Sequence, residues 1–178
     1  MKEYVAQGIV LGRRPRGIAD ETIDLFTKEL GRIEVRAVGS RQPRSKFSSH
    51  LDVLNCVHIR LAHKSAYTLT DALTSARVHG GTKKGIRLFT LLECAYALRH
   101  LLAFAMPDAR VWYYLRDMIQ KGGGTIRAFL VLLGYNPLHA SCIHCKAKKV
   151  AWFDCANHNF VCATCATRIS QNTLIYIL

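Results

Sequence analysis

The segments Cys142-Ile-His-Cys145 and Cys162-Ala-Thr-Cys165 decide the fold of the carboxyl-terminal part of the chain. Sixteen residues separate them, a spacing typical of two turns that share one tetrahedral zinc ion. A two-residue gap lets both sulfurs of a tight turn point the same way, and each turn alone supplies half of a coordination shell. The pattern therefore predicts one structural zinc ion per chain, with four ligands: Cys142, Cys145, Cys162 and Cys165.

The residues between the two pairs are typical of the hairpin of a zinc ribbon. Short apolar segments at 148–153 and 159–161 flank a polar turn. Four thiolates saturate a zinc ion and leave no position for an activated water, so we expect the site to hold structure and to catalyse nothing. His144, Cys155 and His158 are alternative ligands. A redox pair fits less well, because a redox Cys-x-x-Cys is normally single and follows a strand of a βαβ unit.

The composition is that of a globular and strongly basic protein. Half of the 178 residues are hydrophobic and only four are proline, which favours a sizeable core over disorder. The chain has 25 lysines and arginines against 12 aspartates and glutamates, for a net charge of +13. So basic a surface attracts polyanions, and nucleic acid is the first candidate.

The sequence does not favour a membrane or an exported protein. The apolar run before Arg13 is too short for a signal peptide, and charged residues interrupt the most apolar window, 86–106. Paired thiols arranged for a metal, without an export signal, indicate a reducing compartment. We therefore expect a cytoplasmic, nucleoid-associated protein with no membrane partner and no small-molecule substrate.

The first eighty residues contain short runs of β-branched and aromatic residues between turn residues, at 4–11, 22–27, 33–38, 51–62 and 67–73. Five such runs match a five-stranded OB-type barrel, with a small sandwich as the alternative. From Gly85 the apolar period is helical up to Pro107, and further helices are expected at 109–121 and 125–133. The predicted α+β protein has an OB-fold nucleic-acid-binding domain at 1–80 and a helical domain at 81–178, which carries the zinc ribbon at about 139–168.

Basic residues of the predicted barrel cluster in the turn 13–17 and in the stretch 35–51, which contains four serines and no acid. Such loops can follow a phosphate backbone, although many charged loops are only solvated surface. The predicted DNA contacts are Arg13, Arg14, Arg16, Arg36, Arg41, Arg44 and Lys46. Candidates for base stacking are Phe26, Phe47 and Tyr67. Candidates for contact with a second strand or an acidic partner are Arg99, Arg110, Arg116 and Lys121.

Several segments resemble one known family. The strand end Gly8-Ile-Val-Leu11, the segment Leu25-Phe-Thr-Lys-Glu-Leu-Gly31 after Asp20, and Ala37-Val-Gly-Ser-Arg41 look like the amino-terminal domain of the bacterial recombination mediator RecO. The string Leu132-Leu-Gly-Tyr-Asn-Pro-Leu138, which leads into Cys142, is similar to that family's entry into its zinc module. Together these segments cover most of the chain.

The resemblance implies an OB barrel, a helical domain with a zinc ribbon, and a function in DNA repair and recombination after DNA damage. The implied activities are binding of single- and double-stranded DNA, annealing of complementary strands, and loading of RecA together with RecR. Only thirteen residues follow Cys165, where the family usually continues into further helices, so a full site for the acidic tail of single-strand-binding protein is the least supported of the implied contacts. An alternative is an RNA-binding OB and zinc-ribbon protein of the translation machinery.

Enzyme motifs that a zinc or nucleotide enzyme would need do not occur in the sequence. No histidine is followed two residues later by glutamate, as a zinc deaminase requires. A His-Glu-x-x-His helix and a Gly-x-x-x-x-Gly-Lys phosphate loop are likewise absent, and the carboxylates are scattered. We therefore expect a binding protein and no enzymatic activity.

Overall fold

The computed structural model describes residues 1–78 and 84–178. The chain forms two compact units, Met1–Gly123 and Gly124–Leu178. The domain boundary expected between residues 80 and 81 lies outside the described residues, and the division between the compact units comes later, at residues 123 and 124. Glycines 122 to 124 have φ angles of 83°, 79° and 78°, a left-handed run that side chains with a Cβ rarely adopt.

The first unit contains a closed five-stranded barrel. Its strands are β1 (Lys2–Arg16), β2 (Asp20–Thr27), β3 (Gly31–Ala37), β4 (Cys56–His63) and β5 (Tyr67–Ala76). They pair in the order β1-β2-β3-β5-β4, and β1 closes the barrel against β4. Neighbours are antiparallel except β3 and β5, whose parallel pairing joins Val35 to Tyr67 and Arg36 to Thr68. The prediction of an OB-type barrel in an α+β protein is confirmed, and the sandwich alternative is wrong.

The turn of the first hairpin lies later in the chain than the composition predicts. Residues 13–16, assigned to a turn by their arginines and proline, continue β1 as far as Arg16 opposite Asp20. The turn assignment is wrong because cross-strand partners stabilise the extended backbone there, as when Arg13 pairs with Glu21 at 2.8 Å. The actual turn is 17–19, where Gly17 has a φ of 69°.

Two of the three aromatic residues considered for base stacking are buried in the core. Phe26 is fully buried and lies 6.1 Å from Trp112 between ring centroids, while Phe47 is 8% exposed and belongs to the core cluster. Both therefore pack inside the first unit. Tyr67 is half-buried at the start of β5 and keeps part of its ring accessible.

Two helices complete the first unit, α1 (Lys84–Leu101) and α2 (Ala109–Gln120). A side chain caps the start of α2, since the Asp108 carboxylate accepts hydrogen bonds from the backbone N–H groups of Arg110 and Val111 at 2.9 and 3.3 Å. Burial raises the pKa of the Cys56 thiol to about 11, so this cysteine behaves as a small apolar side chain. No helix in the described part of the chain has the length and apolar character that a membrane crossing needs.

A buried carboxylate joins the barrel to α1. Asp24 on β2 has a side chain that is only 3% exposed, and it pairs with Arg32 of β3 and Arg99 of α1, each at 3.1 Å. Arg32 also donates to the carbonyl oxygen of Leu102 at 3.2 Å, and its guanidinium lies 4.3 Å from the ring centroid of Phe104. These contacts hold the end of α1 and the following segment against β2 and β3.

The second unit is a short helix followed by a small sheet. Its elements are α3 (Ile126–Leu132), β6 (Trp152–Asp154), β7 (Asn159–Val161), α4 (Ala163–Ala166) and β8 (Leu174–Tyr176). The sheet is antiparallel with the order β7-β6-β8, so the expected hairpin gains a third strand that the sequence did not reveal. Tyr135 ties the segment after α3 to this sheet, because its ring lies 4.8 Å from that of Phe153 and its hydroxyl 3.0 Å from Nδ1 of His158.

Candidate metal centre and nucleic-acid groove

The sulfurs of Cys142, Cys145, Cys162 and Cys165 all lie within 4.8 Å of one another. The sulfurs of Cys145 and Cys162 are 3.6 Å apart. A tetrahedral zinc ion with Zn–S bonds of about 2.3 Å places its sulfurs about 3.8 Å apart, so the cluster fits one ion without refolding. Within the described residues this group includes neither His144, Cys155 nor His158, the alternative ligands.

Local backbone bonds shape the two turns that carry the sulfurs. In the first turn the N–H of Lys146 donates to the carbonyl oxygen of Cys142 at 2.9 Å, and Lys146 takes a left-handed φ of 61°. The N–H of Ile143 donates to the carbonyl oxygen of Phe160 at 3.0 Å, which fixes this turn to β7. Cys162 stands at the amino-terminal end of α4, so the second pair begins where β7 ends.

The electrostatics of the cluster favour binding of a cation. Burial acts to raise the pKa of the Cys142 thiol, but backbone hydrogen bonds from Cys145, Cys162 and His144 to its sulfur lower that pKa to about 6. The pKa of Cys165 is raised to about 12, by its hydrogen bond with Cys162, by burial and by the other sulfurs. Four thiolates this close repel one another, and a thiophilic dication such as zinc would remove the conflict.

The barrel has a groove of about 480 Å³ beside the parallel pairing of β3 and β5. It is lined by the end of β1, by β2 and β3, and by the turn between β4 and β5. In five-stranded barrels of this type, the face of strands 2 and 3 and the loops 1–2 and 4–5 bind oligonucleotides. We call this surface the barrel groove. Its lining includes Arg16, Arg36, Lys64 and Tyr67.

Cations and one aromatic ring, that of Tyr67, line the barrel groove. Arg16 and Lys64 are exposed, and neither has an ion pair in the part of the chain that the structure describes. The ring of Tyr67 lies 4.5 Å from that of His63 and 5.7 Å from that of Tyr4. A cationic wall beside partly exposed rings suits a strand whose phosphates and bases both need contacts.

Sequence reasoning missed Lys64. The residue stands in the short turn between β4 and β5, and no other lysine or arginine lies within three residues of it in the sequence. Its signal is topological, because the turn between the fourth and fifth strands borders the binding face of an OB-type barrel. A lysine in that turn could have been selected once the strands had been assigned.

Some of the predicted DNA contacts of the barrel form ion pairs with acidic residues, and others do not. Ion pairs join Arg13 to Glu21 and Asp52, Arg14 to Glu34, and Arg36 to Asp20, at 2.8, 3.2, 2.6 and 2.6 Å. Arg41 donates to the carbonyl oxygen of Gly17 at 3.2 Å, and Lys46 lies 5.6 Å from the ring centroid of Phe47. Arg44 is exposed and has no ion pair within the described residues. Of this set Arg16 and Arg36 line the barrel groove, and contact with DNA stays a prediction for all seven residues.

The predicted helical contacts all have acidic partners within the first unit. Arg99 pairs with buried Asp24, and the exposed pairs are Arg110 with Asp108 at 3.0 Å, Arg116 with Asp117 at 3.0 Å, and Lys121 with Asp117 at 2.9 Å. Exposed pairs of this kind contribute little to stability and can exchange partners. Contact with a second strand or an acidic peptide therefore stays a prediction for these four residues.

Comparison with known proteins gives a consistent result. A family model described as "Recombination protein O N terminal" matches residues 1–81, the part that contains the barrel. The chain is 30% identical over 180 residues to the DNA repair protein RecO of Rubrobacter xylanophilus. The aligned region covers 93% of this chain and 72% of that protein. It is 29% identical over 172 residues to the DNA repair protein RecO of Rhodopirellula baltica, with 86% and 63% covered. The chain therefore spans roughly two thirds of the length of these relatives.

Proposed function

The chain belongs to the RecO family of DNA repair proteins, and we propose that its barrel groove binds DNA and that the protein anneals complementary strands. The observation that carries this proposal is the groove itself, where Arg16, Arg36 and Lys64 line the face that OB-type barrels use for oligonucleotides. Complementary strands repel each other through their phosphates. A protein that neutralises the backbones and leaves the bases free speeds their pairing.

The proposal includes no catalytic step. Annealing makes and breaks no covalent bond, so it needs neither a nucleophile nor nucleotide hydrolysis. The zinc that we propose for the four-cysteine cluster would be closed to water by its four sulfurs and would serve the fold of the second unit alone.

Family membership also supports a role beside other repair proteins. We propose that the protein acts with RecR to load RecA onto DNA coated by single-strand-binding protein. The cations of α1 and α2, from Arg99 to Lys121, are candidates for an acidic partner segment, since their present partners on α2 are exposed carboxylates that a peptide carboxylate can replace.

A single charge reversal tests the barrel groove. We expect Lys64→Glu to weaken binding of single-stranded DNA about tenfold at low salt and to reduce the slope of log K against log salt by about 0.7 to 1, because one phosphate contact is lost. Fluorescence anisotropy with a labelled oligonucleotide at several salt concentrations measures both quantities. Duplex DNA and structured RNA, titrated in parallel, show whether DNA is the preferred ligand.

The matched control is Lys28→Glu. Lys28 is also an exposed lysine in a turn between consecutive strands of the barrel, but it does not line the barrel groove. We expect this variant to bind DNA nearly as tightly as the unmodified protein. Equal losses in the two variants would mean that net charge, and not the groove, governs binding.

A further inference from the structure

The basic residues of the second unit have no acidic partners. The unit contains five, Arg127, Lys146, Lys148, Lys149 and Arg168, against the single acid Asp154. Asp154 is 3% exposed, and its carboxylate accepts hydrogen bonds from the backbone N–H of Ala156 at 3.0 Å and the side chain of Asn157 at 2.7 Å. Among the described residues of this unit there is no ion pair. The second unit therefore presents cations without ion pairs, unlike Arg13, Arg14 and Arg36 of the barrel.

Four of these cations line two neighbouring cavities. One, of about 190 Å³, is bordered by Arg127, Lys148 and Lys149. The other, of about 670 Å³, lies beside the sulfur cluster and is bordered by Lys149, Arg168, Cys145, Cys162 and Cys165. Lys149 and Leu178 line both, so the cavities adjoin. We call this surface, defined by its four cations, the ribbon groove.

The central lysines of the ribbon groove stand on a fixed backbone. Val150 and Ala151, which follow them, are 5% and 4% exposed. The N–H of Ala151 donates to the carbonyl oxygen of Val161, and the N–H of Ile177 donates to that of Ala151, both at 3.0 Å. Lys148 and Lys149 themselves are exposed. Because the backbone behind these lysines is already ordered, binding a ligand there costs no backbone ordering.

We propose that the ribbon groove binds the sugar-phosphate backbone of a second DNA strand. This inference rests on the proposed annealing function, which requires one protein to bring two strands together. Unpaired cations along adjoining cavities neutralise successive phosphates and release the counterions condensed on them. No aspartate or glutamate side chain lines the ribbon groove, so none has to be displaced first.

Aromatic side chains nearby favour a nucleic acid over an acidic peptide. Tyr176 precedes the groove-lining residues Ile177 and Leu178 and is 47% exposed. Its ring lies 5.0 Å from that of Trp152, its cross-strand neighbour on β6. A partly exposed aromatic pair beside cations offers a stacking surface for unpaired bases, which an acidic peptide does not need.

The test compares two lysines of the same unit. Lys149→Glu and Lys146→Glu change the net charge equally, but Lys149 lines both cavities and Lys146 lines neither. Each zinc-loaded variant is first mixed with one equivalent of a labelled single strand. A second, non-complementary labelled strand is then titrated in over a range of salt concentrations. We expect Lys149→Glu to lower the slope of log K against log salt for the second strand by about 0.7, and the double variant Lys148→Glu/Lys149→Glu to reduce recruitment of the second strand at least about tenfold.

Metal content verifies that each variant retains the fold of the second unit. The milder substitution Lys149→Gln is expected to change the slope of log K against log salt in the same direction. If Lys149→Glu and Lys146→Glu have the same slope and recruit the second strand equally, the ribbon groove is not a DNA site. If Lys149→Glu instead loses binding of a poly-glutamate peptide while DNA binding is unchanged, the groove serves an acidic protein partner and the inference is wrong. If the unmodified protein binds no DNA, both this inference and the proposed function are wrong.

Discussion

Replacing Cys142 and Cys145 by serine is expected to unfold the second unit and leave the barrel folded. A serine hydroxyl does not replace a thiolate as a zinc ligand, and metal binding in such small modules supplies about 10–16 kcal/mol of apparent folding free energy. Cys142 and Cys162 are themselves two of the four buried members of an apolar cluster in this unit, with Val161 and Ala166, so loss of the metal also loosens this part of the core. Limited proteolysis should therefore degrade residues 124–178 and spare residues 1–123.

Metal analysis provides the direct readout for this variant. We expect about one zinc per chain in the unmodified protein and none in the double-serine variant. Cys155→Ser is the matched control, since Cys155 is also fully buried in the second unit but lies outside the sulfur cluster. It should keep its zinc and its resistance to protease. A metal-free protein whose second unit still resists protease would show that the cluster is not a structural metal site.

Replacing Asp24 by asparagine is expected to destabilise the first unit by about 3 kcal/mol, the lower end of the range for breaking a buried ion pair. Asparagine keeps the shape of the side chain but leaves Arg32 and Arg99 without their shared charge partner. The lower end applies because the side chain of Arg99 is 37% exposed and water can solvate part of its charge. Urea unfolding followed by tryptophan fluorescence measures the change, since Trp112 is buried in this unit.

Asp117→Asn is the control for Asp24→Asn. Asp117 also lies between two cations, Arg116 and Lys121, but its side chain is 40% exposed on α2. Water replaces the lost charge there, so the unfolding midpoint should hardly move. Similar shifts in the two variants would mean that the buried position of Asp24 adds nothing to its interactions.

The features that sequence reasoning identified correctly have strong local signals. Two Cys-x-x-Cys pairs at ribbon spacing define the sulfur cluster without any knowledge of the fold, because each tight turn fixes its own two sulfurs. Short β-branched runs between turns predict the barrel strands, and the helices expected at 109–121 and 125–133 match α2 and α3 to within one residue at each end. These are properties of neighbours in sequence.

The features that it missed depend on partners distant in sequence. The extension of β1 through Arg16 depends on the acids of β2, and the pairing of Arg99 depends on Asp24, which is 75 residues away. The strand β8 has only three residues and is recognisable only when β6 lies beside it. Similarly, no local pattern shows that the cations around Lys149 are unneutralised, because that requires knowing that Asp154 is buried.

The central claim, that this protein anneals DNA, is tested most directly by the rate at which two complementary labelled oligonucleotides pair. Without nucleotide triphosphate, the protein should accelerate pairing of bare strands, and Lys64→Glu should reduce the acceleration while Lys28→Glu preserves it. The same assay on strands coated with the cognate single-strand-binding protein tests the proposed partner contact separately. Pairing at the uncatalysed rate, on bare and coated strands alike, would contradict the claim.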